Sequence, residues 1–550
     1  MARRKLPLSL VFLVLATCRD SVAPTTKKET PPNPQSVSVL TQHNDNSRAG
    51  WNDNEDTLTT SNVNVQKFGK VFTLAVDDQV YAQPLVVGHV SMRGGFHNVV
   101  YVATVNNTIY AFDGDDGTLY WQKNYTAAGM RPPRNVDMTG ACGGGYQDFS
   151  GNIGIVGTPV IDAARGTMYF VARGTSAGTT YAQHLHAVNI LDGTEVAGSP
   201  TAITATANGN GDGSVNGVIT FNAQRQNQRQ ALTLVNGVVY VSFSSHCDWG
   251  PYHGWILGYD AATLAQRTVY NATPNGYAAG MWESGNGMAA DAVGNVYVVT
   301  GNGTVGDGGD PTNLTNRGES ALKLTPSGST LRVASYFTPF NYQALNDDDV
   351  DYGSMGGFLI PGSDYYVTGG KDGNIYLLNR DAMGGYVPSS NQIQQVVALG
   401  SNANMHCQAA YFKGSLREYV YVWPENAPLH AIRFDRGSNL LSTQDEIVSN
   451  VPGPTGQSGA VLSVSSNGSQ DGTGILWASY PSSGDAEHTV SPGILRAFDA
   501  NDVTRELWNN QQNPQRDASG YYAKFAAPTI ANGHVYLPTF SNKIVVYGLQ

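Results

Sequence analysis

Two stretches of this chain gather side chains suited to chemistry. Asp347, Asp348, Asp349 and Asp351 place four carboxylates within five residues, and Lys371 follows in a Lys-Asp-Gly turn. Carboxylates packed that closely repel one another, so the segment is either well solvated or gathered around a cation. The second stretch, SSHCDWGPYHGW, carries His246, Trp249, Tyr252 and His253, with Asp248 among them. Such a set could stack a sugar ring, serve acid–base catalysis or ligate a metal. Each residue also has an ordinary reading: an acidic surface loop, a solvated turn lysine, structural histidines.

These residues are positioned by a repeat. A hydrophobic strand is followed by a short polar gap, then by a strand ending in an aromatic or aliphatic residue and Asp or Asn. VVYVATVNNTIYAFDGDDGTLYW is the complete copy, and HVYLPTFSNKIVVYG is a truncated one closing the chain. Ahead of each copy lies one short apolar strand: YAQPLVVG, GTPVIDA, QALTLVNG, GNGMAADA, SMGGFLIP, CQAAYFKG, SGAVLSVS and AAPTIANG. Eight such units predict an all-β, eight-bladed β-propeller. The last unit lacks its outer strand, and KFGKVFTLAV near the N-terminus is the segment expected to supply it and close the ring.

Loop length marks one face. Long segments are expected between the second and third strands of blades 3, 4 and 7, and TAAGMRPPRNVDMTGACGGGYQDFSGN precedes the inner strand of blade 2. In a propeller all of these belong to the same mouth of the channel, and long loops in compact β domains usually carry function.

Composition narrows the classes. Charged residues make up 14 % of the chain, glycines number 63 and the formal net charge is −11. No basic stripe is present, which argues against a nucleic-acid partner. Arg3, Arg4 and Lys5 followed by the apolar run Leu6–Ala16 read as a signal segment too short to span a membrane. Leu15-Ala16-Thr17-Cys18 resembles a bacterial lipobox, with Thr17 where a smaller residue is usual. Residues 1–18 are therefore expected to be a signal peptide ending at a lipidated Cys18, with 19–66 a tether and N-terminal extension and 67–550 the propeller. The expected location is outside the cytoplasm: at the periplasmic face of the outer membrane or the cell surface through a lipid anchor, otherwise periplasmic or secreted. Cys142, Cys247 and Cys407 remain for the fold, so at least one thiol stays unpaired. No C-x-x-C-H stretch provides for covalent haem.

The repeats resemble those of the pyrroloquinoline quinone (PQQ) propellers, the eight-bladed alcohol dehydrogenases and their non-catalytic relatives, from about Lys67 onward. Four stretches are similar to parts of the dehydrogenase cofactor site. GGKDGNIYLLNRDAMGG puts Lys371 where a cation contacts the quinone oxygens. VYVVTGNGTVGDGGDP puts Asn302 where an amide oxygen binds calcium. YFTPFNYQALNDDDVDYGS gives Asp348 and Asp351 the spacing of the catalytic aspartate region. In NGYAAGMWESGNG, Trp282 takes the place of the flat floor beneath the quinone. The resemblance further implies a calcium-binding carboxylate in the third blade, a place Asp248 can fill. The adjacent Cys-Cys pair of the dehydrogenases is missing.

The resemblance implies a quinone- and calcium-dependent alcohol or sugar dehydrogenase. Two other readings stay open: a non-catalytic envelope scaffold that binds polypeptide, and a carbohydrate-active lyase or hydrolase using His246, Tyr252 and His253. The partner is accordingly a small molecule or carbohydrate, or an envelope protein.

Overall fold

In six of the eight repeats the third strand ends in an aspartate or asparagine that has a structural task. In a computed structural model describing residues 36–550, Asp113 accepts the backbone N–H groups of Asp115 and Asp116. Asp260 does the same for Ala262 and Thr263. Asn189, Asn379, Asp435 and Asp499 each take one such bond two residues on. These Asx turns reverse the chain into the outer strand, which is why the repeat ends as it does.

Eight antiparallel sheets result, all of the expected blades. Their inner strands begin at Leu85, Val160, Thr233, Ala289, Gly356, Ala410, Val461 and Thr529. All eight fall within the short apolar segments read from the sequence. A separate two-stranded ribbon pairs Thr206–Asn208 with Val218–Thr220. The core is a ring of apolar seams between neighbouring blades. One seam packs Val367, Ile375 and Leu377 of blade 5 against Val420, Val422 and Ile432 of blade 6.

The ring closes as expected. Phe68–Ala75 is the outer strand of blade 8, running antiparallel to Lys543–Leu549 from Phe68 opposite Leu549 to Ala75 opposite Lys543. Phe68 is fully buried, and its ring meets Trp508 edge-on with centroids 5.0 Å apart, which locks blade 8 to blade 7.

Residues 36–66, assigned from the sequence to an extension ahead of the propeller, are part of it. Between Val39 and Asn52 the chain travels through the channel and bonds to every inner strand in turn. Val39 exchanges backbone bonds with Val86 of blade 1, and Leu40 O accepts from Ile161 of blade 2. Asn46 Nδ2 donates to Leu234 O of blade 3 at 2.8 Å. The carbonyls of Asn46, Ser47, Ala49 and Gly50 accept from Ala290, Leu359, Tyr411 and Val464 of blades 4 to 7. Trp51–Asn52 then pairs in parallel with Val464–Ser465, and Asn52 Nδ2 reaches Ile530 O of blade 8.

Arg48 pins this segment at the axis. It is fully buried and donates five hydrogen bonds: to Met288 O, Thr41 Oγ1, Gln42 O, Leu232 O and Thr233 Oγ1. Burial lowers its pKa to about 10, with Asp45 and Glu283 working against the shift. Residues 1–35, including the expected lipidation site Cys18, lie outside the described residues.

Replacing Arg48 with methionine keeps the bulk and removes every donor. Met288 O would keep its bond from Thr233 Oγ1, but the carbonyls of Gln42 and Leu232 would be stranded, each costing about 1–3 kcal/mol, so Arg48→Met should lose more than about 2 kcal/mol of stability in guanidinium unfolding. A loss below about 1 kcal/mol, an ordinary mutational effect, would contradict the role given to this side chain.

Candidate functional site at the channel mouth

The lead-in loops of the inner strands and the turns between second and third strands enclose a cavity of about 200 Å³ above the N-terminal segment. Gln408 links the two levels. Its Nε2 donates to the carbonyls of Ser284 and Phe525, both cavity residues, and its Oε1 accepts from Gln42 Nε2 of the channel segment.

One side of the cavity is a lysine–carboxylate group. Lys371 Nζ lies 2.6 Å from Asp351 Oδ2 and 3.2 Å from Asp349 Oδ2, and donates to Asp349 O at 3.0 Å. Burial opposes the ammonium charge, but Asp351 and Asp349 outweigh it and hold the pKa above the ordinary lysine value. Asp351 is buried, and its Oδ1 accepts from the backbone N–H of Asn302 at 3.1 Å. Gly301 permits this approach: a Cβ there would sit 2.4 Å from Asp351 Oδ1 and 3.0 Å from Trp282 Cδ1. Trp282 lines the cavity, and its buried indole N–H has no partner in the protein.

Asp248 joins this group at the rim. The residue is exposed, yet partial burial of its carboxyl, followed by the neighbouring Asp351 charge, raises its pKa to about 6. Tyr252 donates its hydroxyl to Asp248 Oδ1. A neighbouring cleft of about 350 Å³ shares Asp248 and Asp349 with the cavity and is also lined by Tyr252, Tyr277 and Asn302.

Several expected residues stand elsewhere. Asp348 is an exposed helix cap after Tyr342–Asp347 and lines neither space. The local Asp pattern misled here because Asp349 and Asp351, past the helix end, reach the cavity, while the cap itself does not. Asn302 lines the side cleft: its Nδ2 holds Asp349 at 2.6 Å, while its buried Oδ1 has no partner. His246 is fully buried, with Nδ1 2.7 Å from Tyr146 OH and Nε2 accepting from Arg173 at 2.9 Å. Burial, then Arg173, holds its pKa well below the usual value, so it packs as a neutral ring. His253 sits between Thr273 Oγ1 and Asp212 O. Neither histidine lines the cavity.

Four features escaped the sequence reading. Cys142 and Cys247 form a disulfide that lines the cavity and ties the loop before blade 2 to the loop of blade 3. Cys407 is the buried free thiol. Glu283 is fully buried next to Trp282, with Oε1 accepting from Val299 N at 2.9 Å and Oε2 unpaired, and burial raises its pKa to about 8. Glu319, buried and bonded to the backbone N–H of Tyr352, is raised by burial and then by the Asp351 charge. Among the described residues, no three His, Cys, Asp or Glu side chains are arranged as a metal cluster.

No protein-family model matches the chain, and no curated protein sequence matches it. Solved structures do match. The quinohemoprotein alcohol dehydrogenase of Comamonas testosteroni superposes with a TM-score of 0.57 at 14 % identity, over 93 % of this chain and 80 % of that one. A quinohemoprotein alcohol dehydrogenase of Pseudomonas putida HK5 gives 0.56 at 12 % identity, with the same coverage of both chains. A europium-containing methanol dehydrogenase gives 0.57 at 12 % identity, over 94 % of this chain and 99 % of that one. The fold is the eight-bladed propeller that these structures share. At these identities the likeness concerns architecture, and function has to be argued from the mouth of the propeller itself.

Glu283 offers a test of the buried electrostatics beneath that mouth. Its folded pKa of about 8 lies above the ordinary value of 4.5, so between those pH values the native state holds a proton that the unfolded state has released. Stability should then fall as pH rises from about 5 to 8. Glu283→Gln should leave stability unchanged at about pH 5 and raise it by roughly 2–4 kcal/mol at about pH 8, read from unfolding midpoints. A variant equally stable to the parent at both pH values would remove the buried neutral carboxyl from this description.

Proposed function

We propose that this propeller is an exported quinone-dependent alcohol or sugar dehydrogenase, with PQQ and a hard cation such as calcium held at the channel mouth. One observation carries the reading: Trp282, the Cys142–Cys247 disulfide, Asp351 and Lys371 line a single cavity although separate loops contribute them.

The residues present fit both groups. Trp282 offers an aromatic surface with an unsatisfied N–H, and Lys371 supplies a fixed positive charge. The sequence lacks an adjacent cysteine pair, and the Cys142–Cys247 disulfide, spanning two loops, lines the cavity in its stead. For the cation, Asp351 and the unpartnered Asn302 Oδ1 are hard oxygen donors of the type calcium and lanthanides prefer. The europium-containing methanol dehydrogenase supports a trivalent ion as an alternative to calcium.

Bound there, the quinone would supply a two-electron acceptor. The protein's own contribution is positional and electrostatic. Lys371, fixed by Asp349 and Asp351, places an ammonium where it favours negative charge on a neighbouring oxygen. Asp248 forms the wall common to cavity and cleft, and its carboxylate can accept the proton of a substrate hydroxyl arriving along Tyr252 and Tyr277. Asp351, tied by Lys371 and the Asn302 N–H, acts through Lys371 as a positioning residue.

Export forms part of the proposal, supported by the disulfide, which persists in oxidising compartments, and by the signal-like N-terminus with Cys18 as its lipid attachment point. The membrane is then reached through that anchor alone. The carbohydrate-active reading loses its acid–base pair, because His246 and His253 are occupied by structural partners. The scaffold reading gains no observation in its favour.

Titration of the purified protein with PQQ, with and without calcium or europium, tests the proposal. Saturable quenching of tryptophan fluorescence is expected with micromolar affinity, and Lys371→Met should weaken it at least about tenfold, equivalent to about 1.4 kcal/mol. No quenching by about 100 μM quinone, a ceiling near −5.5 kcal/mol, would overturn the cofactor assignment.

A further inference from the structure

The cavity has a second, cationic side that the dehydrogenase reading leaves unused. Arg229 comes from the segment leading into blade 3 and Lys524 from the segment leading into blade 8, and both line the cavity. The Arg229 guanidinium rests on the Phe525 ring, with its carbon 4.9 Å from the ring centroid, and Phe149 lies beyond at 6.0 Å. Its Nε is buried without a partner. Lys524 is only 3 % exposed, and its ammonium donates to the backbone carbonyl of Glu487.

Among the described residues, neither cation forms an ion pair. The nearby carboxylates turn to a different group: Asp148 lies 3.2 Å from His488 Nδ1, and Glu487 lies 3.8 Å from its Nε2. Arg173, a fully buried cation, stands behind this wall and is bonded to neutral His246 and the Gln224 carbonyl. Burial and then Arg229 lower the Lys524 pKa to about 8, with Asp148, Glu487 and Asp485 only partly offsetting them. A buried ammonium without a counter-charge is costly, and a half-buried guanidinium with unused N–H groups presents a fork suited to a carboxylate.

We propose that Arg229 and Lys524 form a carboxylate-binding subsite in the mouth cavity, opposite in charge to the acidic group around Asp351. With Phe525 under the guanidinium and Trp282 in the same cavity, the fitting ligand is a planar acid small enough for about 200 Å³. The carboxylate can belong to the quinone or to an acidic substrate. The subsite rests on the reading of this cavity as a ligand site but not on the quinone.

Calorimetry separates these sources. Phthalate probes the subsite alone, while PQQ and its trimethyl ester, which lacks the carboxylates, are compared on the unmodified protein. Arg229→Gln and Lys524→Gln are titrated in parallel, with circular dichroism confirming the fold. Phthalate binding that falls at least about tenfold in Arg229→Gln, about 1.4 kcal/mol, establishes the subsite even if PQQ fails to bind; the quinone assignment then falls and an acidic substrate is the source. PQQ binding at least about tenfold tighter than its ester, about 1.4 kcal/mol, assigns the subsite to the cofactor without relying on any variant. The proposal is overturned if neither phthalate nor PQQ binds at millimolar concentration. Equal affinity of ester and acid, with phthalate binding unchanged in a folded Arg229→Gln, overturns it as well.

Discussion

The structure depends on how the inner edges of its eight blades are satisfied. Each inner strand presents unpaired N–H and C=O groups toward the channel axis, and a buried backbone group without a partner costs about 1–3 kcal/mol. Here the chain supplies its own partner: residues 39–52 circle the axis and bond once or more to every blade. Arg48 holds that turn in place with five donors aimed at carbonyls and hydroxyls. The same polypeptide then leaves the channel and completes blade 8 with Phe68–Ala75. One N-terminal segment therefore both fills the axis and closes the ring.

That arrangement makes the mouth a cavity instead of a through-channel. Gln42 of the N-terminal turn bonds Gln408, which holds the carbonyls of Ser284 and Phe525 at the cavity floor. Around this floor a protein with only 14 % charged residues concentrates Lys371, Asp248, Asp349 and Asp351 on one side and Arg229 and Lys524 on the other. Below it lie Glu283 and Glu319, carboxyls that burial keeps inclined to stay neutral. Trp282 and Arg229 in the cavity and Asn302 in the side cleft each keep a buried polar atom without a partner in the protein. Polar groups left unsatisfied in a well-packed ring are expected where a ligand completes them.

The blades were readable from the sequence because their signals are local. Strand alternation and Asx turns each need only a few consecutive residues, and Asp113, Asp260 and Asp435 carry them in plain view. The channel segment was not readable: Thr41–Gly50 is polar and turn-like, and its partners lie up to hundreds of residues away. The disulfide joins cysteines 105 residues apart and so left no local pattern. Lys371, Trp282 and Asp351 line one cavity because they sit in stretches whose geometry the propeller register dictates. Asp348 was misjudged because a short helix turns it outward, and His246 because Tyr146 and Arg173 reach it from other blades.

The central claim is that the N-terminal turn floors a ligand site at the channel mouth, and a crystal structure of the protein grown with PQQ and calcium tests it most directly. The account predicts density for a planar ligand in the cavity bounded by Trp282, Lys371 and the Cys142–Cys247 disulfide, with residues 39–52 in the channel beneath it. A ligand bound elsewhere on the propeller, or an open channel without that segment, would contradict the account.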